Sequence, residues 1–520
     1  MVITATDAPA MQSLSALQKN NEDRPVYDNL RYHNQFVLGP SYIEELADWQ
    51  RFEVIPSIHL MAHPALNTYQ ARNAGRSLTL VGYILDPDRP QSSDADIIET
   101  LILKLTDFES FIARTHNYGG RWILVVNDGR KIALLNDAVG LRQVFYTETP
   151  YADQLWCASQ PEIMAGLLGL TMDKAAVGFI NSYEFRVNPE FRFPGNSSPY
   201  REIKHLLPNH YLDLKTGLCR RYWPSNALPE IGLDEAIENV SSILQGLMQS
   251  AANRFDLALS ITAGLDSRVV LAASRPISHS ITYMTVRQIG MPDDHADLTT
   301  PSQLLSKLGL NHDIVKSSLI IDDEFIEIFK QNVPIPHYVY APDAQAILKH
   351  YAQCKVAVTG SSSEVSRFSF RALTNKSQRE KLTLLDFADL QHMGKHKFAF
   401  HHYQSWLDGL GPLYNVDLLN LFEWELDDGN WLAMCQLEFD IAWKDIFTPF
   451  NCRSLINCLL SIKPHYLHTP KFEFHHRLIS NLWPEVLNVP INPHKHKKAG
   501  LFSKIKSFAR MRQLADIFYR

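Results

Sequence analysis

The sequence predicts an α/β chain in two parts: a layered α+β unit over residues 1–226, then a parallel-sheet unit with a helical C-terminal part over residues 227–520. Three observations predict it. At 520 residues the chain exceeds what a single hydrophobic core usually holds. Its first half carries short runs of β-branched and aromatic residues broken by turn signals. After Pro-Ser-Asn-Ala-Leu-Pro (224–229), apolar strands alternate with helical patterns, the signature of a parallel sheet with crossover helices.

In the first part, SLTLVGYIL (77–85), RWILVV (121–126), KIALLN (131–136) and LRQVFYT (141–147) read as strands. Asn127-Asp128-Gly129 supplies the positive-φ turn that makes the second and third a hairpin. Between the first two strands, residues 94–116 place Ile97, Leu101, Leu105 and Phe108 at helical spacing, predicting one helix packed on the sheet. HYLDLKTGLCRRYW (210–223) reads as a closing hairpin.

In the second part, Ile237, Val240, Leu244 and Leu247 mark a helix with acidic residues in its first turn. FDLALSI, HSITYMTV (279–286), HDIVKSS and KVAVTG read as four strands, with helices between them. In such sheets a ligand sits beyond the carboxyl ends of the strands. From about residue 375 the chain reads as mostly helical, with its aromatic-rich segment 396–450 as core and substrate-pocket wall; acids on those helices are expected at the surface.

Composition narrows the function classes. Fifty basic against 56 acidic residues give a net charge of −6, too little positive charge for general nucleic-acid binding. No apolar run approaches a membrane span, and the N-terminus shows no signal peptide. Six cysteines without a Cys-x-x-Cys pair fit reduced thiols in a cytoplasm. The pairs His401-His402 and His475-His476, and His494-x-His496, lack the His-x-x-x-His spacing of a metal-binding helix face.

The segment with chemistry is Ser260-Ile261-Thr262-Ala263-Gly264-Leu265-Asp266-Ser267, at the end of the first strand of the second part. Small residues let a backbone approach a phosphate, and a following helix N-terminus supplies N–H donors. Read alone, the segment fits a tight strand-to-helix turn equally well. Thr262 through Ser267 resembles the Ser-Gly-Gly-x-Asp-Ser pyrophosphate loop of the asparagine synthetase family of ATP pyrophosphatases, with Thr and Ala at its first two places. Three further segments resemble that family in order: Pro292 to His312, Thr359-Gly360-Ser361-Ser362-Ser363-Glu364, and Pro484-Glu485-Val486-Leu487 followed by Lys497-Lys498-Ala499-Gly500-Leu501. Thr448-Pro449-Phe450-Asn451-Cys452-Arg453 falls where the family has Pro-Phe-Leu-Asp. Tyr118 to Tyr146 and Glu202 to Tyr211 resemble its glutaminase-like N-terminal domain.

The resemblance implies an N-terminal-nucleophile-hydrolase-like domain ahead of a PP-loop synthetase domain. It implies a ligase that adenylates a small-molecule or peptide carboxylate with ATP, releases pyrophosphate, and lets an amine or ammonia displace AMP. Ser260, Thr262, Ala263, Gly264, Leu265, Asp266, Ser267, Val286, Thr359, Gly360 and Lys498 are then expected around ATP, with Asp266 and Glu364 holding Mg²⁺. Lys498 is the expected catalytic charge donor, with Lys497 its neighbour in register and Arg268 and Lys495 weaker candidates. Glutamine is excluded as nitrogen source, because position 2 is Val2 and no cysteine precedes Cys157. After Gly360 the chain has Ser361, where asparagine synthetases carry Glu and β-lactam synthetases Tyr, so neither of those reactions carries over. Glu425, Glu438 and Asp440 remain as possible bases for the amine, and a homo-oligomer remains open. The other reading is a degenerate member that binds nucleotide or a partner without turnover.

Overall fold

A computed structural model describes residues 27–148, 154–187, 190–333, 335–367, 382–468 and 471–493. Strands are numbered in chain order. The first twelve are β1 (Phe36–Gly39), β2 (Gln50–Ile55), β3 (Ile58–Ala62), β4 (Thr68–Asn73), β5 (Arg76–Leu85), β6 (Gly119–Asn127), β7 (Ile132–Asn136), β8 (Phe145–Thr147), β9 (Cys157–Ala158), β10 (Ile203–His205), β11 (His210–Asp213) and β12 (Cys219–Arg221). They form two six-stranded antiparallel sheets, ordered β10-β8-β9-β1-β3-β2 and β12-β11-β7-β6-β5-β4.

The sheets stack through Leu38, Leu60, Val81, Ile123, Val125 and Leu134. Trp122, Leu124 and Val126 of the same strand point the other way, onto Ile97, Leu101 and Phe111. That is why β6 is apolar at nearly every position rather than at every second one: both faces are covered. Helices also cover the outer face of the first sheet, through Phe179, Tyr403 and Phe422. The unit is therefore layered α-β-β-α.

The hairpin of β6 and β7 forms in antiparallel register around Gly129, whose φ is +93°. The single helix expected over 94–116 is two, Asp94–Leu103 and Phe108–Thr115. Asp107 ends the continuity, because its carboxylate accepts the N–H of Ser110 and caps the second helix. LRQVFYT contributes only three residues, in the sheet opposite its hairpin neighbours.

The second part holds a five-stranded, wholly parallel sheet of β13 (Leu257–Ser260), β14 (Ile281–Arg287), β15 (Asp313–Lys316), β16 (Val356–Val358) and β17 (Asp445–Phe447), in the order β15-β14-β13-β16-β17. Four of the five were expected; β17 lies within the segment read as helical. The helices Leu233–Ala252, Leu265–Ala273 and Glu473–Leu482 cover one face, and Asp323–Asn332 with Ala341–Tyr351 the other. Chain direction along the sheet reverses between β13 and β16. This is the topological switch point, where two adjacent loops diverge and leave a crevice.

The two parts share buried contacts. Tyr83 donates to the carbonyl of Ile446 at 2.8 Å. Asn451 accepts the N–H of Val139 and donates to the carbonyl of Gly120. Arg121 forks onto Asp440 at 2.5 and 3.0 Å, and Asp445 receives Arg121 at 3.2 Å and Arg142 at 2.6 Å. Among the described residues, no helix is long and apolar enough to cross a membrane.

Candidate functional site

The loop after β13 and the loop after β16 meet at the switch point. Thr262, Ser267 and Asp297 fix the first of them. The Ser267 hydroxyl lies 3.1 Å from that of Thr262 and accepts its N–H at 3.2 Å. The N–H of Gly264 goes to Thr262 Oγ1, and that of Ala263 to Asp297 Oδ1 at 2.9 Å. The helix Leu265–Ala273 then begins at Gly264 with no side-chain cap. The positive end of its dipole therefore faces the crevice.

The second loop touches that helix. A Cβ on Gly360 would stand 2.7 Å from the Asp266 carbonyl carbon and 2.9 Å from the Ser267 nitrogen, so only glycine permits this approach. Beside it opens a cavity of about 390 Å³, lined by Ser260, Thr262, Val286 and Thr359. Of the residues expected around ATP, these four line the cavity. Ala263, Gly264, Leu265, Asp266 and Ser267 form the adjoining loop and helix start, with Gly360 packed against them, and do not line the cavity. Lys495, Lys497 and Lys498 lie outside the described residues. The chain leading to them is anchored at the same loop, where Asn492 donates its N–H to the carbonyl of Ala263 at 2.9 Å.

Sequence reasoning missed Tyr340 and Asp343 of the wall, and named none of Cys435, Gln436, Phe439 and Trp443 individually. The aromatic-rich segment was expected to supply pocket wall, and Phe439 and Trp443 do so. Asp343 and Tyr340 carry no local signal, since a helix start with Pro342 in its first turn looks the same anywhere. Burial pushes the Asp343 carboxyl up to about 6, against hydrogen bonds from Ser317 and Gln288.

Asp266 and Glu364 are brought together, with a cation between them that the sequence did not announce. Arg367 Nη2 lies 2.7 Å from Asp266 Oδ1 and 3.2 Å from Glu364 Oε1, and the Ser363 hydroxyl also donates to Asp266 Oδ1. Burial, and secondly the charge of Asp266, push the Glu364 carboxyl up to about 7. All-oxygen donors suit a hard divalent ion. The position facing both carboxylates is filled by a guanidinium, so in this arrangement the pair does not fit a protein-bound Mg²⁺.

The acids considered as bases are engaged elsewhere and are buried, not at the surface as helical acids usually are. Glu425 lies in a ten-residue π-helix, Glu423–Leu432, and takes both arms of Arg221, the indole N–H of Trp406 and the amide of Asn209. Glu438 is paired with His337, and Asp440 with Arg121. Arg268 is structural too, donating to the carbonyls of Val486, Val489 and Pro490. Asp428, on the same π-helix, differs from these three acids. It is buried, its Oδ2 accepts no hydrogen bond, and burial followed by Glu364 and Glu423 holds its carboxyl well above the usual range.

His337, Cys435 and Glu438 place ligand atoms within 4.8 Å of one another. Both ring nitrogens of His337 are committed, Nδ1 to Glu438 and Nε2 to the carbonyl of Glu190, which leaves no lone pair for a metal.

No family model matches the chain, and no curated protein matches it. Among solved structures, it is similar to a glutamine-dependent NAD⁺ synthetase from Acinetobacter baumannii in complex with ADP, at 16% identity over 33% of each chain with a TM-score of 0.20. The chain thus spans about a third of that synthetase. It is also similar to a glutamine phosphoribosylpyrophosphate amidotransferase from B. subtilis complexed with ADP and GMP, at 12% identity over 64% of this chain and 77% of that one, TM-score 0.24.

Proposed function

We propose that this chain is an ATP-dependent ligase that activates a carboxylate as its adenylate and joins it to an amine or to ammonia. The observation that supports this reading is the uncapped start of the helix Leu265–Ala273 behind a loop of small residues, at a switch-point cavity of about 390 Å³. A polyphosphate tail at that end meets backbone donors and a helix dipole, while the cavity beyond accommodates a nucleoside. Mg²⁺ enters this reading as part of the substrate Mg-ATP.

In the first step a carboxylate oxygen attacks the α-phosphorus, and pyrophosphate leaves toward the helix N-terminus. In the second an amine displaces AMP from the acyl carbon. Lys498 keeps the charge-stabilising role that the resemblance implies. A cytoplasmic setting suits the reading, with all six cysteines free.

A screen of pyrophosphate release across carboxylic acids, amino acids and peptides, with and without added amines, tests the proposal. No release with any carboxylate, despite measurable ATP binding, turns the reading to a nucleotide-binding protein without turnover. With an active substrate, Asp266→Asn is expected to abolish release. Lys498→Ala is expected to lower turnover about a hundredfold or more while sparing ATP affinity, and Lys497→Ala to be mild. If Lys497→Ala is the dead variant, the register of that ending is off by one.

Glutamine is expected not to serve as nitrogen donor. Cys157 is completely buried in β9 and its thiol is pushed far up by burial, and the Cys219 thiol is pushed up to about 12 by burial. Glutamate release from glutamine above the spontaneous rate contradicts this.

A further inference from the structure

We propose that Arg367 is the resident cation of the phosphate site, and that Asp266 and Glu364 seat this guanidinium instead of ligating a metal ion. The proposal rests on the ligase reading for its ligand, the polyphosphate tail, and on geometry for the rest.

One nitrogen of Arg367 reaches both carboxylates, at 2.7 Å to Asp266 and 3.2 Å to Glu364. Asp266 is the second residue of the uncapped helix, so the guanidinium stands at the helix's first turn. Asp266 Oδ1 is ion-paired with this nitrogen and accepts the Ser363 hydroxyl, which leaves that oxygen little capacity for an inner-sphere metal. A divalent ion between the same carboxylates would have to displace a permanent positive charge, since two cations cannot share one seat.

The guanidinium is only partly used by the protein. Its Nε is buried and donates to no acceptor, although a guanidinium carries five N–H donors in one plane. A buried donor without a partner is costly to keep, and the planar fork of arginine matches two oxygens of a phosphate. The helix N-terminus and, held against its first turn, Arg367 thus together offer donors to an anion. The two carboxylates orient the arginine.

Two probes on the whole protein test this, neither requiring turnover. The first is Mn²⁺ alone, followed by electron paramagnetic resonance without nucleotide. The parent and Arg367→Lys are expected to bind none at millimolar concentration, whereas Arg367→Ala gains a site at least tenfold tighter, lost again in Arg367→Ala/Glu364→Gln. Equal Mn²⁺ binding by parent and Arg367→Ala overturns the proposal, as does no binding by a folded Arg367→Ala.

The second probe is inorganic pyrophosphate in EDTA, followed by calorimetry. The parent is expected to bind it without metal and Arg367→Ala at least tenfold more weakly, with Arg367→Lys in between. Unchanged affinity in Arg367→Ala reduces the residue to a structural ion pair and overturns the proposal. A protein in which the Mn²⁺ arm behaves as expected but no carboxylate yields pyrophosphate keeps its resident cation and loses the ligase reading.

Discussion

Gly360→Ala is expected to lower ATP-dependent pyrophosphate release at least a hundredfold while the protein stays folded. The added methyl would lie 2.7 Å from the Asp266 carbonyl carbon and 2.9 Å from both the Asp266 oxygen and the Ser267 nitrogen. All three are backbone atoms of the helix's first turn, so no flexible side chain can move aside. The loop after β16 must withdraw, and it takes Ser363, Glu364 and Arg367 with it. Displacements of about 1 Å in groups that position a reacting phosphate cost on the order of a hundredfold in rate. Turnover and pyrophosphate affinity should fall together, with little change in the denaturation midpoint. Gly264→Ala is the control, because its nearest neighbour is the Thr262 hydroxyl at 3.1 Å and the position tolerates a small shift. Parental activity in Gly360→Ala would place the chemistry away from this contact.

Arg121→Ala is expected to cost about 3–5 kcal/mol of stability, the usual penalty for breaking a buried ion pair from one side. Its side chain and that of Asp440 are 2% and 0% exposed, so Asp440 would be left charged without a partner or forced to take up a proton. Asp440 already leans that way: burial pushes its carboxyl up to about 6 even with Arg121 alongside. The network joins β6 to the segment that carries β17, so its loss should loosen the two parts together. Chemical denaturation measures the effect, with Arg477→Ala as the surface comparison, since its pairing with Asp234 is largely exposed and worth about 0–1 kcal/mol. The double variant Arg121→Ala/Asp440→Ala should cost less than the sum of its singles, because neither charge is then stranded. Equal midpoints for Arg121→Ala and Arg477→Ala would show that the network holds nothing together.

Local chemistry by itself determined a good deal of this protein. The Asp-Gly turn set the hairpin of β6 and β7, because few residues tolerate a positive φ at that place. The alternation of apolar strands with amphipathic helices determined the parallel sheet, and with it the location of a crevice at the strands' carboxyl ends. The loop from Ser260 to Ser267 was legible because closely spaced small and hydroxyl residues constrain the backbone wherever they occur. What lay beyond the reach of periodicity was pairing. The strands β2 and β4 have mixed polarity, and β17 is only three residues long, so none of them announces itself without its neighbours.

Tertiary structure alone decided which charge meets which. Glu425, Glu438 and Asp440 resemble solvent-facing helical acids in the sequence, yet each is buried against a partner brought from a distant segment. Arg367 has nothing in its local sequence to tie it to Asp266, and the fold makes it the cation between the two acids expected to hold a metal. The reason is physical: backbone geometry and side-chain periodicity act over a few residues and can be read along the chain. The partner of a buried charge is set by which distant groups the fold leaves within reach once water has been removed.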